Sequence, residues 1–86
     1  MLDSLTPKGI LLKNFDKIHT TPLGRERISK NLKLKDKDAV SYCKNIIKSD
    51  ESKVFKNGKN FYCEKDKIKI TVNSSNYCII TAHLIK

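Results

Sequence analysis

The sequence predicts an α+β fold, with about three N-terminal helices packed on a four-stranded antiparallel β-meander. Three observations carry this. Apolar residues recur with helical spacing up to about residue 48 and then alternate from Lys53 onward. Thr precedes Pro in both "LTPKG" and "TTPLG", the pattern of a helix N-cap followed by a first-turn proline. Asn57-Gly58 sits between two strand-like runs, a strong hairpin signal. The 86 residues suit one domain, residues 1–86, with helices over about 7–48 and the sheet over about 53–85.

The first helix is expected from Pro7 to about Lys17, burying Ile10, Leu11, Leu12, Phe15 and Ile18. The second is expected from Pro22 to about Leu32. Its apolar arc holds Leu23, Ile28 and Leu32, and the same projection places Arg27 and Asn31 inside it. A guanidinium there either snorkels to the edge, pairs with a carboxylate, or reaches an anion in a pocket. The third helix starts near Asp36 or Asp38 and buries Ala39, Val40, Tyr42, Cys43, Ile46 and Ile47.

A turn at Asn57-Gly58 pairs Lys56 with Lys59 and Val54 with Phe61. A turn centred on Lys65-Asp66 pairs Glu64 with Lys67 and Cys63 with Ile68. Phe61, Cys63, Ile68, Ile70 and Val72 then share one face, with Asn60, Tyr62, Lys67, Lys69, Thr71 and Asn73 on the other. A three-residue loop at Ser74–Asn76 sets Val72 against Cys78. It sends Cys78, Ile80, Ala82 and Leu84 to the apolar face and Tyr77, Ile79, Thr81 and His83 to the polar one. A two-residue Ser-Ser turn would instead put His83 in the core.

The formal net charge of +9 favours an anionic partner, whether RNA, DNA, an acidic protein face or a membrane surface. No stretch reaches the ~18 apolar residues of a membrane span, and "MLDSLTPKGILLKNF" lacks the apolar block of a secretory signal. The expected location is cytoplasmic, with no membrane partner. Cys43, Cys63 and Cys78 show no CxxC spacing and read as small core residues. There is no Walker loop, GxGxxG, HExxH or GxSxG, so no metal or cofactor is expected.

The polar sheet face gathers the chemistry. Tyr62 and Tyr77 offer stacking surfaces, Lys67 and Lys69 offer charge, and Thr71 and Asn73 offer hydrogen bonds to single-stranded RNA. The alternative is an ordinary solvated sheet face. "IHTTPLGRER" sets His19, Thr20, Thr21 and Arg25 around a helix N-terminus, a natural phosphate seat. With His19 and His83 flanking one phosphodiester, RNA cleavage without metal has an acid and a base. Arg27 then stabilises the phosphorane, Thr81 and Asn73 position the substrate, and Asn31 counts among the nucleic-acid-binding residues. His19 equally suits a helix-boundary residue bonded to its own capping segment.

The segments "IHTTPLGRERISKNL" and "KNFYCEKDKIKITVNSSNYCIITAH" resemble a family of small bacterial proteins of unknown function. The residues that match its pattern are His19, Thr20, Thr21, Gly24, Arg27, Asn31, Asn73, Thr81 and His83. More coarsely, helices followed by an antiparallel meander look like the superfamily of barnase, EndoU, colicin and RelE-type ribonucleases. That resemblance implies a metal-independent, toxin-like endoribonuclease with an antitoxin partner. The one glutamate on the polar face is Glu64, expected at the far end of a hairpin. The competing expectation is a non-enzymatic phage or mobile-element protein that binds and inhibits a nucleic-acid-handling machine.

Overall fold

A computed structural model describes residues 6–34 and 38–85. It has the expected α+β architecture: α1 (Pro7–Lys13), a 3-10 turn (Phe15–Lys17), α2 (Pro22–Leu32), α3 (Ala39–Lys48), β1 (Lys53–Asn57), β2 (Asn60–Lys65), β3 (Ile68–Asn73) and β4 (Ile79–Leu84). The sheet is an antiparallel meander in the order β1-β2-β3-β4. Among the described residues, no helix is long and apolar enough to cross a membrane.

Helix starts follow from capping chemistry. The Thr6 hydroxyl accepts the Gly9 N–H at 3.0 Å, and the Thr21 hydroxyl accepts the Gly24 N–H at 3.0 Å, each with proline in the first turn. Asp38 caps α3 through the Val40 N–H, while the alternative start, Asp36, lies outside the described residues. The first helix does not run to Lys17. Its ladder ends at Asn14, whose backbone N–H and side-chain amide both turn back to the Ile10 carbonyl, and the chain goes on as a 3-10 turn.

Both early hairpins turn one residue later than the sequence suggests. Gly58 takes the first central position with φ of +64°, as a type II′ turn requires, so Asn57 faces Asn60 and Val54 faces Cys63. The next turn uses Asp66 and Lys67, both at positive φ, so Lys65 faces Ile68 and Cys63 faces Ile70. Each register therefore moves by two residues, which preserves both faces. Phe61, Cys63, Ile68, Ile70 and Val72 are all buried.

In β4 the expectation changes. Val72 faces Ile79, Thr71 faces Thr81, and Ile80 is left over as a bulge. Ile79 and Ala82 are buried, while Ile80 is 44% exposed and Leu84 is 48% exposed. The placing of Ile79 on the polar face and of Ile80 on the apolar face is thus reversed. The core needs a large side chain opposite Val72, and the bulge supplies one while turning Ile80 out.

β4 is an edge strand, and α2 closes that edge. The Thr20 hydroxyl donates to the Ile79 carbonyl at 2.9 Å, and the Asn31 amide donates to the Ala82 carbonyl at 3.2 Å. His19 adds one parallel bridge to Cys78, its N–H reaching the Tyr77 carbonyl and its own carbonyl accepting the Ile79 N–H. Gly24 sits at the closest approach. A Cβ there would lie 2.3 Å from Thr20 Oγ1 and 3.7 Å from the Ile79 carbonyl. The buried arc of α2 is consequently Gly24, Ile28 and the half-buried Leu32. Leu23, expected in that arc, is 58% exposed. Gly24→Ala should destabilise by about 1–3 kcal/mol, the range for overpacking. The cost should shrink in a Thr20→Ala background, and urea unfolding of the four-member cycle checks this.

The three cysteines are free, with Cys43 and Cys63 buried and Cys78 half-buried. Burial, reinforced by the nearby Cys63, pushes the Cys43 thiol up to about 12 from its ordinary 9.0. Burial also raises Cys63, against the lowering effects of the Ser52 hydroxyl and of Lys8. The unfolded chain releases these protons first, so the stabilisation is complete below pH 9 and is lost as pH rises from about 9 toward 12. The urea midpoint should fall across that window. In Cys43→Ala it should fall less steeply.

Candidate nucleic-acid interface

The helices cover one face of the sheet and leave the other to solvent, as antiparallel sheets allow. Pairing registers arrange the uncovered face in rows across the strands. Phe55, Tyr62, Thr71 and Thr81 form one row; Lys53, Glu64, Lys69 and His83 form the next. Phe55 and Tyr62 stack with centroids 5.5 Å apart and planes at 22°. Lys69 Nζ lies 5.0 Å from the centroid of the Tyr62 ring, a cation–π contact that joins the two rows. Thr71 is only 7% exposed. His83 is exposed and faces Lys69 directly.

Phe55 is absent from the residues that sequence reasoning selects. Its signal was present, since alternation from Lys53 puts it on the outer face. A turn at Asn57-Gly58 would set it opposite Asn60, however, and only the later turn brings it against Tyr62.

The structure sorts the other expected site residues into two groups. Tyr62, Lys69, Thr71, Thr81 and His83 share the outer face. Thr20, Thr21 and Asn31 are occupied in closing the β4 edge and capping α2. Asn73 accepts the Ser75 and Asn76 N–H groups through Oδ1 at 2.7 and 3.3 Å, which orders the β3–β4 loop. Tyr77, at φ of +60°, packs against the core instead of joining the face. Lys67 sits in the β2–β3 turn, beyond the row that holds His83.

His19 and His83 are not brought together. His19 bridges to Cys78 at the start of β4, and His83 lies five residues further on, ~16 Å of extended strand away. His19 Nδ1 is 2.8 Å from the Lys17 carbonyl, a bond within its own helix-boundary segment.

Arg25 and Arg27 are exposed, so neither reaches into a core-facing pocket. Because Gly24 marks the contact with β4, Arg27 lies about 60° to one side of that contact, and Ile28 about 40° to the other. Leu23, Glu26, Arg27 and Lys30 form one ridge on the side away from the core, at i, i+3, i+4 and i+7. Bonds from Thr20 to Ile79 and from Asn31 to Ala82 show that α2 and β4 run side by side in the same direction. Among the described residues the ion pair formed is Lys65–Asp66 at 2.9 Å, so the outer-face cations and Arg27 keep their charge available.

An open groove of about 560 Å³ lies between α3 and the β2–β3 turn, lined by Tyr42, Asn45, Ile46, Lys65, Asp66 and Ile68 among others. It holds none of the expected site residues. Among the described residues, no three His, Cys, Asp or Glu side chains are grouped to hold a metal ion.

The chain belongs to the family described as protein of unknown function (DUF3781), whose model matches residues 12–83. The match spans α2, α3, β1 to β3 and β4 as far as His83. No curated protein and no solved structure matches the chain.

Proposed function

We propose that the uncovered sheet face binds single-stranded nucleic acid, RNA in the first instance. The observation that carries this reading is the Phe55–Tyr62 stack with Lys69 against it, on a face that no helix covers. A half-exposed aromatic pair offers a base a stacking surface of the kind single-strand binders use, without reading sequence. Lys69, His83 and Lys53 lie in the adjacent row, where the phosphates of a strand stacked on Phe55 would run. The net charge of +9 supplies the long-range attraction. A flat face with no projecting helix favours unpaired bases over a duplex groove.

Fluorescence anisotropy with a short unstructured RNA, titrated at several salt concentrations, tests this. Affinity should fall as a power of salt. Tyr62→Ala and Phe55→Ala should each weaken binding by about tenfold, the stacking contribution of one base. Lys69→Ala should flatten the log–log salt slope by about one, and His19→Ala should change neither quantity. If both aromatic variants bind like the wild type, the sheet face is not the site.

A second reading has one specific observation behind it. Glu64, Lys69 and His83 stand in one row on three adjacent strands, which sets Glu64 and His83 about 10 Å apart with Lys69 between them. A phosphodiester seated on Lys69 would lie between a carboxylate and an imidazole, the acid and base that cleavage requires. Glu64, not His19, is then the counterpart of His83. Cleavage of total RNA in EDTA should be seen with wild type and lost in both His83→Ala and Glu64→Gln. Cleavage that survives both changes would remove this reading, and no cleavage by wild type would leave the face as a binding surface only.

A further inference from the structure

The uncovered face carries a third row, at the end next to the β1–β2 turn. Strand pairing sets Asn57 opposite Asn60 and Asn60 opposite Asn73, so three asparagines stand side by side on adjacent strands. Each lies two residues from a member of the Phe55, Tyr62 and Thr71 row, and hence on the same face of the sheet. The aromatic stack therefore has amides on one side and the row of Lys53, Glu64, Lys69 and His83 on the other. On each of β1, β2 and β3 those flanking rows are four residues apart, ~13 Å of strand. Asparagine is disfavoured in strands, and the turn does not call for it here, since its central residues are Gly58 and Lys59. The Asn73 oxygen holds the β3–β4 loop. Among the described residues, the side-chain amides of Asn57 and Asn60 have no hydrogen-bond partner, with Asn57 exposed and Asn60 half-buried.

We propose that Asn60, with Asn57 beside it, reads the base held on the Phe55–Tyr62 stack and selects adenine, a proposal that rests on the sheet-face reading. Phosphate and base edge lie at opposite ends of a nucleotide, as the cationic and amide rows lie on opposite sides of the stack. A strand whose phosphates follow Lys53 and Lys69 thus turns its base edges toward the amides. Glu64 is the single anion of the phosphate row, against two lysines. A carboxamide carries an acceptor and an N–H donor side by side. Adenine matches that pair on both of its open edges, N6 with N1 and N6 with N7. Guanine shows two acceptors at O6 and N7, so it matches an amide only along its Watson–Crick edge. The pyrimidines have that edge alone, on a smaller ring that reaches less far across the stack. Adenine is the base that the amide row accepts in either orientation.

The test measures anisotropy of labelled RNA octamers with the full chain: all-uridine, and the same octamer with one central adenine, guanine or cytosine. Wild type should bind the adenine octamer about fivefold or more tighter than the other three, the low end of what one bidentate pair discriminates. The double variant Asn57→Ala/Asn60→Ala should bind all four alike. It should hold the all-uridine octamer as wild type does, which also shows that it is folded. Asn60→Asp should move the preference to guanine, because a carboxylate only accepts and guanine offers its N1 and N2 donors together. If the double variant loses the all-uridine octamer as well, Asn60→Asp decides alone. Equal binding of the four octamers by wild type, or preference for another base, overturns the proposal and leaves the sheet face as the site. So does an adenine preference that survives in the double variant or in Asn60→Asp. No binding of any octamer, or binding unchanged in both Phe55→Ala and Tyr62→Ala, removes the sheet-face reading and this inference with it.

Discussion

The carbonyls of Ile79 and Ala82 point off the open edge of β4, where no fifth strand meets them, and the means of satisfying them sets the rest of the molecule. An unpaired sheet edge is both a cost in hydrogen bonds and an invitation to aggregate. Here Thr20 and Asn31, at either end of α2, each donate to one of those carbonyls. From Gly24, at the Ile79 carbonyl, to Asn31, at the Ala82 carbonyl, the helix advances seven residues and the strand three, about 10 Å in each case. The helix therefore lies alongside the strand like a surrogate neighbour, and Gly24 is the point where it comes close enough to do so. Each of these bonds is worth about 1 kcal/mol on its own. Together they fix which side of α2 faces the core and which side is left for other work.

That fixation separates the polar residues of the chain by purpose. Thr20, Thr21, Asn31 and Asn73 all have backbone partners and hold the scaffold. Tyr62, Lys69 and His83 have neighbours but no such task, and they stand together on the open face. A face made of residues that the scaffold does not need can change without cost to folding. His19 belongs to the first group, since its backbone makes the bridge to β4 and its ring turns to the Lys17 carbonyl.

Much of this is legible in the residues, and what is not has two causes. Element order, helix starts at Thr6-Pro7 and Thr21-Pro22, and the two sheet faces follow from local capping and period, which depend only on neighbours in sequence. The turn positions do not. Asn-Gly suits both type I′ and type II′ turns, and choosing between them moves the register by two while leaving the faces alone, so alternation cannot arbitrate. A helical projection that draws the apolar arc of α2 through Leu23 places Arg27 inside it. The centre of that arc is Gly24, a residue with no hydrophobic weight, whose importance comes from what it lacks. Closeness of approach is a tertiary fact, and a helical projection weights side chains that are present. The Phe55–Tyr62 stack was hidden for the first reason, the β4-edge hydrogen bonds for the second.

The bulge at Ile80 decides where His83 points. If β4 continued in the register that sets Ile79 against Val72, His83 would fall opposite Ile68 on the core face, and Ala82 would fall opposite Lys69 on the outer one. One unpaired residue restores the phase, so that Ile79 fills the core at one end of the strand, Ala82 fills it at the other, and His83 emerges beside Lys69. The same insertion turns Ile80 out of the core, to 44% exposure. An imidazole on the open face and an isoleucine left outside the core are thus consequences of one backbone irregularity. Deleting Ile80 alone would make the register continuous and leave Ala82 against Ile70 and His83 against Lys69, so the bulged residue is the one the ladder can spare.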